Sequence, residues 1–231
     1  MASSVFPHAK LDWTISKLEE RTSANAEDLD ARLELSRTLL SRGWMHDGGE
    51  TDCGAALSMA RRVLQDDPTS VTALVVAGMA LVCMERVDAA EKYLAQAHGA
   101  EADRADLRMA LGALERLRGD HGTSVRHFEA ACRLASESWE THLFLGRALM
   151  ALAARTAHNR LVERASYHLV RAMRLDPTPD QHPQILRDMG LCCMKTGRTK
   201  EAQRFFIRLR ENPDHAAIAK FHLGQVAYES G

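Results

Sequence analysis

The chain has 231 residues, 45% of them apolar, 5% aromatic and 26% charged, and its 30 Lys+Arg nearly balance 31 Asp+Glu for a net charge of −1. This excludes disorder, which needs low hydrophobicity with a large charge imbalance, and the usual basic nucleic-acid binder, which needs a cationic face to displace counterions. The longest nearly apolar run, residues 71–84, falls short of the roughly 20 residues of a membrane span, and Met1-Ala2-Ser3-Ser4 opens neither a signal peptide nor a myristoylation site, so no membrane insertion is expected.

Ala (35) and Leu (28) outweigh 6 Pro, which favours helix throughout and predicts an all-α class. In chain order, residues 9–22 come first, as an amphipathic helix with Leu11, Ile15 and Leu18 on one side and Trp13 nearby. Residues 1–28 thus form an N-terminal segment whose helix caps the first repeat unit. From residue 29 a register recurs. Small residues at Ser36, Gly78, Gly112, Gly146, Gly190 and Gly224 follow an apolar neighbour at spacings of 42, 34, 34, 44 and 34. A second series, Ala56, Ala90, Ser124, Ala165 and Ala202, is trailed four residues later by Ala60, Leu94, Phe128, Leu169 and Phe206. Each unit of about 34 residues reads as two amphipathic helices around a short turn, closed by a breaker such as Asp66-Asp67-Pro68. Small residues let paired helix axes approach while the bulky residues fill the flanks, and one pair buries too little alone, so units must stack. The odd spacings predict longer turns at Trp44 to Asp52 and Thr156 to Glu163, with three further residues in Thr178 to His182. Trp44 and His46 are candidates for a contact edge, against simple tolerated lengthening. Residues 216–229 read as a first helix without its partner, which is either a cap or a sign that the chain is part of a longer protein.

These residues resemble the tetratricopeptide repeat family, best in residues 105–138 and 183–216. The resemblance covers residues 29–231 as five full units and the first helix of a sixth. It implies a right-handed superhelical solenoid of stacked helix-turn-helix hairpins that binds proteins. Ala60, where the family has a large residue, is a departure.

No phosphate loop, dinucleotide fingerprint, nucleophile elbow or His-Glu-x-x-His is present, so neither an enzyme nor a cofactor is expected. His121, His127, His158 and His168 lack ligand spacing and are expected on solvated faces, with no metal bound. Five cysteines, two of them adjacent, make a disulfide framework improbable and fit a reducing cytoplasm. Cys192 and Cys193 are expected to pack. The excess of Arg over Lys, 24 to 6, hints at a bacterial source.

The resemblance implies a concave groove lined by first helices. Its positions fall on Leu33 and Arg37, on Val75, Val76 and Met79, and on Met109. Further along they fall on Leu143, Phe144, Arg147 and Met150, and on Arg187 and Leu191. The helix at 71–84 is apolar on every side, so its inner face should be covered, by a partner, by the N-terminal segment or by ordinary packing. The family's cationic clamp for acidic chaperone tails is missing, since its positions here supply Arg37 as the one cation. The expected function is a scaffold or adaptor that takes a peptide or amphipathic helix of a partner protein, with Arg37, Arg147 and Arg187 orienting it. The alternatives are a regulatory or targeting domain of a larger protein and a bacterial secretion-type chaperone. Composition and register imply no particular oligomeric state.

Overall fold

Ala- and Leu-rich segments bounded by Gly, Pro and Asp fold as helices throughout the described residues, which are 7–45, 49–156, 158–175 and 183–230 of a computed structural model. No strand occurs among them. The chain divides into two compact units, residues 1–118 and 119–231. The first holds α1 (Pro7–Ala24), α2 (Leu29–Met45), α3 (Gly49–Asp66), α4 (Val71–Cys83), α5 (Val87–Ala100) and α6 (Ala105–Leu117). The second holds α7 (His121–Leu134), α8 (Trp139–Thr156), α9 (Asn159–Leu175), α10 (Pro183–Lys195), α11 (Thr199–Arg210), a 3-10 turn (Pro213–His215) and α12 (Ala216–Ser230). The division falls in the turn of the third sequence repeat.

In the first unit α1 packs on α2 through Ile15 and Leu18, with the Arg42 guanidinium reaching Asp12 at 2.6 Å. The hairpins α2–α3 and α4–α5 come next, and α6 lies against α4 and α5. The second unit packs α7 on α8, α8 on α9, α10 on α11 and α12 on α11.

Within hairpins the small residues receive the bulky ones directly and do more than let the flanks fill. A Cβ added to Gly78 would stand 2.4 Å from Leu94, one on Gly146 2.8 Å from Leu169, and one on Gly190 2.5 Å from Phe206. Each of these three hairpins is therefore a knob seated on bare backbone, at a density that leaves no room for a methyl group. In the first repeat the volumes are exchanged: Ser36 stands at the glycine position and Ala60 at the knob position, and both are fully buried. The departure at Ala60 is thus matched by a larger residue in the other series.

The expected longer turns are instead longer helices. α2 has 17 residues and α3 18, against 13 and 14 in α4 and α5. α8 and α9 have 18 and 17, against 13 and 14 in α6 and α7. About one helical turn is added to each arm. In α2–α3 the extension is held by Arg42 on the buried Asp52 (2.8 Å from Nη2) and by Gly43, whose absent Cβ would meet the Cys53 sulfur at 2.8 Å. Trp44 is half-buried in this extension, whereas His46 and residues 178–182 lie outside the described residues.

The short turns share one backbone device. Seven residues past Gly78, Gly112 and Gly190, the chain enters the left-handed region at Glu85 (φ 55°), Gly119 (φ 80°) and Gly197 (φ 71°). That conformation lets the Arg86 and Arg198 amides bond back to the Leu81 and Cys193 carbonyls at 2.8 Å, which terminates α4 and α10.

The cysteines correct an expectation. Cys53 of α3 and Cys83 of α4 form a disulfide, with Cα atoms 6.5 Å apart. An odd count says nothing about one pair, and packing of the two helices brings these sulfurs together. Cys192 and Cys193 are fully buried, and burial pushes both thiols up, that of Cys193 to about 11.

Candidate functional site

The first helices of the hairpins carry the residues expected to meet a partner. In the first unit Arg37 is exposed, and Leu33, Met79 and Met109 are half-buried. Val75 and Val76, only 2% and 3% exposed, are covered by the chain itself. Helix α4 packs against α2, α3, α5 and α6, so its apolar circumference is met by four of its own neighbours, and α1 is engaged with α2. In the second unit Leu143 is fully buried, while Phe144, Arg147, Met150, Arg187 and Leu191 are half-buried. Val75, Val76 and Leu143 are therefore core residues of the isolated chain.

Phe144 is fixed from two sides. Its ring stacks on Phe128 with centroids 5.9 Å apart, and the Arg147 guanidinium carbon stands 5.7 Å from its centroid. Arg147 donates from Nε to Asp188 Oδ2, and Arg187 donates from Nε and Nη2 to Asp188 Oδ1 at 3.1 and 3.0 Å. Asp188 is 8% exposed, so one buried carboxylate ties α8 to α10 and answers one of two positive charges. The two arginines expected to orient a partner are thus already oriented, which the one-dimensional pattern does not reveal.

A second constellation joins α7, α8 and α9. Cys132 Sγ lies 4.0 Å from His142 Nδ1, which lies 2.9 Å from His168 Nδ1. His142 Nε2 stands 3.1 Å from the Ser136 carbonyl oxygen. That carbonyl can only accept, so Nε2 carries the proton and Nδ1 presents its lone pair to Cys132 and His168. The two rings stack with centroids 5.2 Å apart, and Tyr167 meets His168 edge-on. Burial, then the neighbouring His142 ring and the charge of Arg164, push His168 down to about 4. Burial pushes the Cys132 thiol up. His168 is therefore half-buried and neutral near pH 7, not on a solvated face. His121 and His127 are also half-buried, and His158, just ahead of α9, is exposed. Cys132 and His142 carry no spacing signal, because the three side chains come from three different helices.

No protein-family model matches the sequence, and no curated protein is similar to it. Solved structures do resemble it. A tetratricopeptide repeat protein from Parabacteroides merdae superposes with a TM-score of 0.65 at 14% identity over 95% of this chain and 79% of that one. YrrB, described as a tetratricopeptide repeat protein with an unusual peptide-binding site, gives 0.53 at 19% identity over 90% and 97%. Human IFIT1, solved as a dimer with the capped oligonucleotide m7Gppp-AAAA, gives 0.73 at 14% identity over 86% of this chain and 45% of that one. The chain spans less than half the length of IFIT1. Helical hairpins in a 34-residue register, knobs on bare backbone and these superpositions agree: the chain has the all-α repeat fold of tetratricopeptide repeat proteins.

Proposed function

We propose that the chain is a non-enzymatic interaction scaffold that holds a peptide or an amphipathic helix of a partner protein on the half-exposed first-helix side chains of its hairpins. Phe144 carries the reading. It is an aromatic ring left partly open on a first helix, backed by Phe128 and held by an arginine whose own partner is buried. A rigid aromatic beside a fixed guanidinium supplies contact area at low entropic cost, the combination that dominates affinity at protein interfaces. In the first unit Met79 and Met109 offer a softer apolar surface beside Leu33 and Arg37. Burial at about 25 cal/mol per Å² of apolar surface supplies the affinity. Because Asp188 answers one of the two charges on Arg147 and Arg187, this face suits a carboxylate or peptide carbonyls better than a polyphosphate backbone, and the RNA in the IFIT1 structure is not carried over. The peptide-binding site of YrrB supports a peptide partner.

The test is capture of partner proteins from native lysate by the immobilised chain, wild type against Met79→Glu with Phe144→Glu. The double change is expected to lower capture at least about ten-fold with helicity unchanged by circular dichroism. Capture that survives it, in a folded variant, removes these faces from the account. Val76→Glu, at a position 3% exposed, reports on the core instead.

A further inference from the structure

We propose that Cys132, His142 and His168 form a binding site for one zinc ion. Among the described residues they are the one group of three or more potential ligands whose donor atoms converge, all within 4.8 Å of one another. A tetrahedral zinc ion, with bonds of about 2.3 Å to sulfur and 2.0–2.1 Å to nitrogen, separates its ligand atoms by about 3.5 Å (S to N) and 3.4 Å (N to N). The structure has 4.0 Å between Cys132 Sγ and His142 Nδ1 and 2.9 Å between the two Nδ1 atoms, each within about 0.5 Å of those values.

The surroundings set the ligand chemistry. Ser136 accepts the Nε2 proton of His142, the outer-shell bond that fixes a ligating imidazole's tautomer and aims its Nδ1 lone pair inward. One sulfur and two imidazole nitrogens form a borderline-soft set that suits zinc over the hard, oxygen-seeking calcium and magnesium. Without metal, His168 donates its Nδ1 proton to His142. On binding, that proton moves to Nε2 of His168, both Nδ1 atoms bind zinc, and the Cys132 thiol loses its proton to solvent as the zinc–sulfur bond forms. One proton is released per ion, and the fourth tetrahedral position goes to water. The ion would pin the C-terminal end of α7 to α8 and α9.

The test is titration of the EDTA-treated full chain with zinc chloride against a competing chelator, and with cobalt chloride to read the thiolate-to-cobalt charge-transfer band. Wild type is expected to bind one equivalent, to release one proton and to show the cobalt band. His168→Gln and Cys132→Ser are expected to weaken zinc at least about ten-fold, and Cys132→Ser to lose the band, while the exposed control His158→Gln changes neither. A readout on wild type alone covers the case in which a variant fails to fold: zinc should slow alkylation at Cys132, mapped by mass spectrometry, and leave Cys192 unaffected. Failure of the wild type to bind one equivalent, binding equal in all variants, or unchanged alkylation of Cys132 would leave a histidine–histidine hydrogen bond as the whole content of the cluster.

Discussion

Gly190→Ala isolates the knob-on-backbone contact that closes the α10–α11 hairpin. Carbon atoms in contact settle at about 3.5–4.0 Å, yet the new Cβ would stand 2.5 Å from Cε1 and Cζ of Phe206 and 3.0 Å from its Cδ1. The ring cannot turn aside, because Phe206 is fully buried among Leu186, Cys193, Ala202, Leu209, Ala219 and Val226. The helices must part by about 1 Å, an overpacking that costs about 1–3 kcal/mol. Replacing glycine in a helix returns about 0.8–1 kcal/mol, so the net loss is up to about 2 kcal/mol. A chain of this size should lose up to about 8 °C in Tm. Gly224→Ala is the matched control: it has the same register position on α12, but its added Cβ would meet nothing within 4 Å, so it should gain about 0.5–1 kcal/mol. The assay is urea denaturation followed by circular dichroism, with Phe206→Leu completing a double-mutant cycle. Equal stabilisation by the two glycine changes, or additivity of Gly190→Ala with Phe206→Leu, would refute the interlock.

At the same turn position where Gly119 and Gly197 stand, Glu85 adopts φ 55°, so Glu85→Gly should raise stability by up to about 1 kcal/mol; a loss in thermal melts would contradict the turn assignment. Closing a loop of 30 residues, the Cys53–Cys83 disulfide should contribute about 3–4 kcal/mol, and three of five cysteines should alkylate in denaturant without reductant. Five labelled cysteines would disprove the bond. Asp120 accepts from the Thr123 hydroxyl and amide, which hold its carboxyl below the usual range. Its contribution is therefore full above the unfolded pKa of about 3.9 and lost as pH falls through the lower folded value. The stability gap between wild type and Asp120→Asn should close on acidification below about pH 4, and a constant gap would show that the charge is not involved.

The repeat is legible along the chain because hairpin packing imposes a volume rule on two series of positions, and the chain obeys it even where Ser36 and Ala60 exchange roles. The inserted residues mislead because an added stretch shifts the register equally whether it lengthens a turn or two helices. Gly43 is a place where α3 approaches α2 closely enough to leave no room for a side chain. Half-exposed and buried members of a first helix cannot be told apart along the chain. Val75 and Val76 are covered by neighbours whose placement is tertiary, and the buried partner of Arg147 lies 41 residues away. The Cys132–His142–His168 cluster escapes sequence reasoning for the same reason: separations of 10 and 26 residues match no ligand motif until three helices are packed.

The most direct test of the interaction face places a photo-crosslinking residue at Met150 on α8 and, separately, at the exposed Tyr167 on α9, then irradiates each in native lysate. A discrete crosslinked partner protein is expected from position 150 and none from position 167. Crosslinks from 167 alone would contradict this by putting the partner on the second helices.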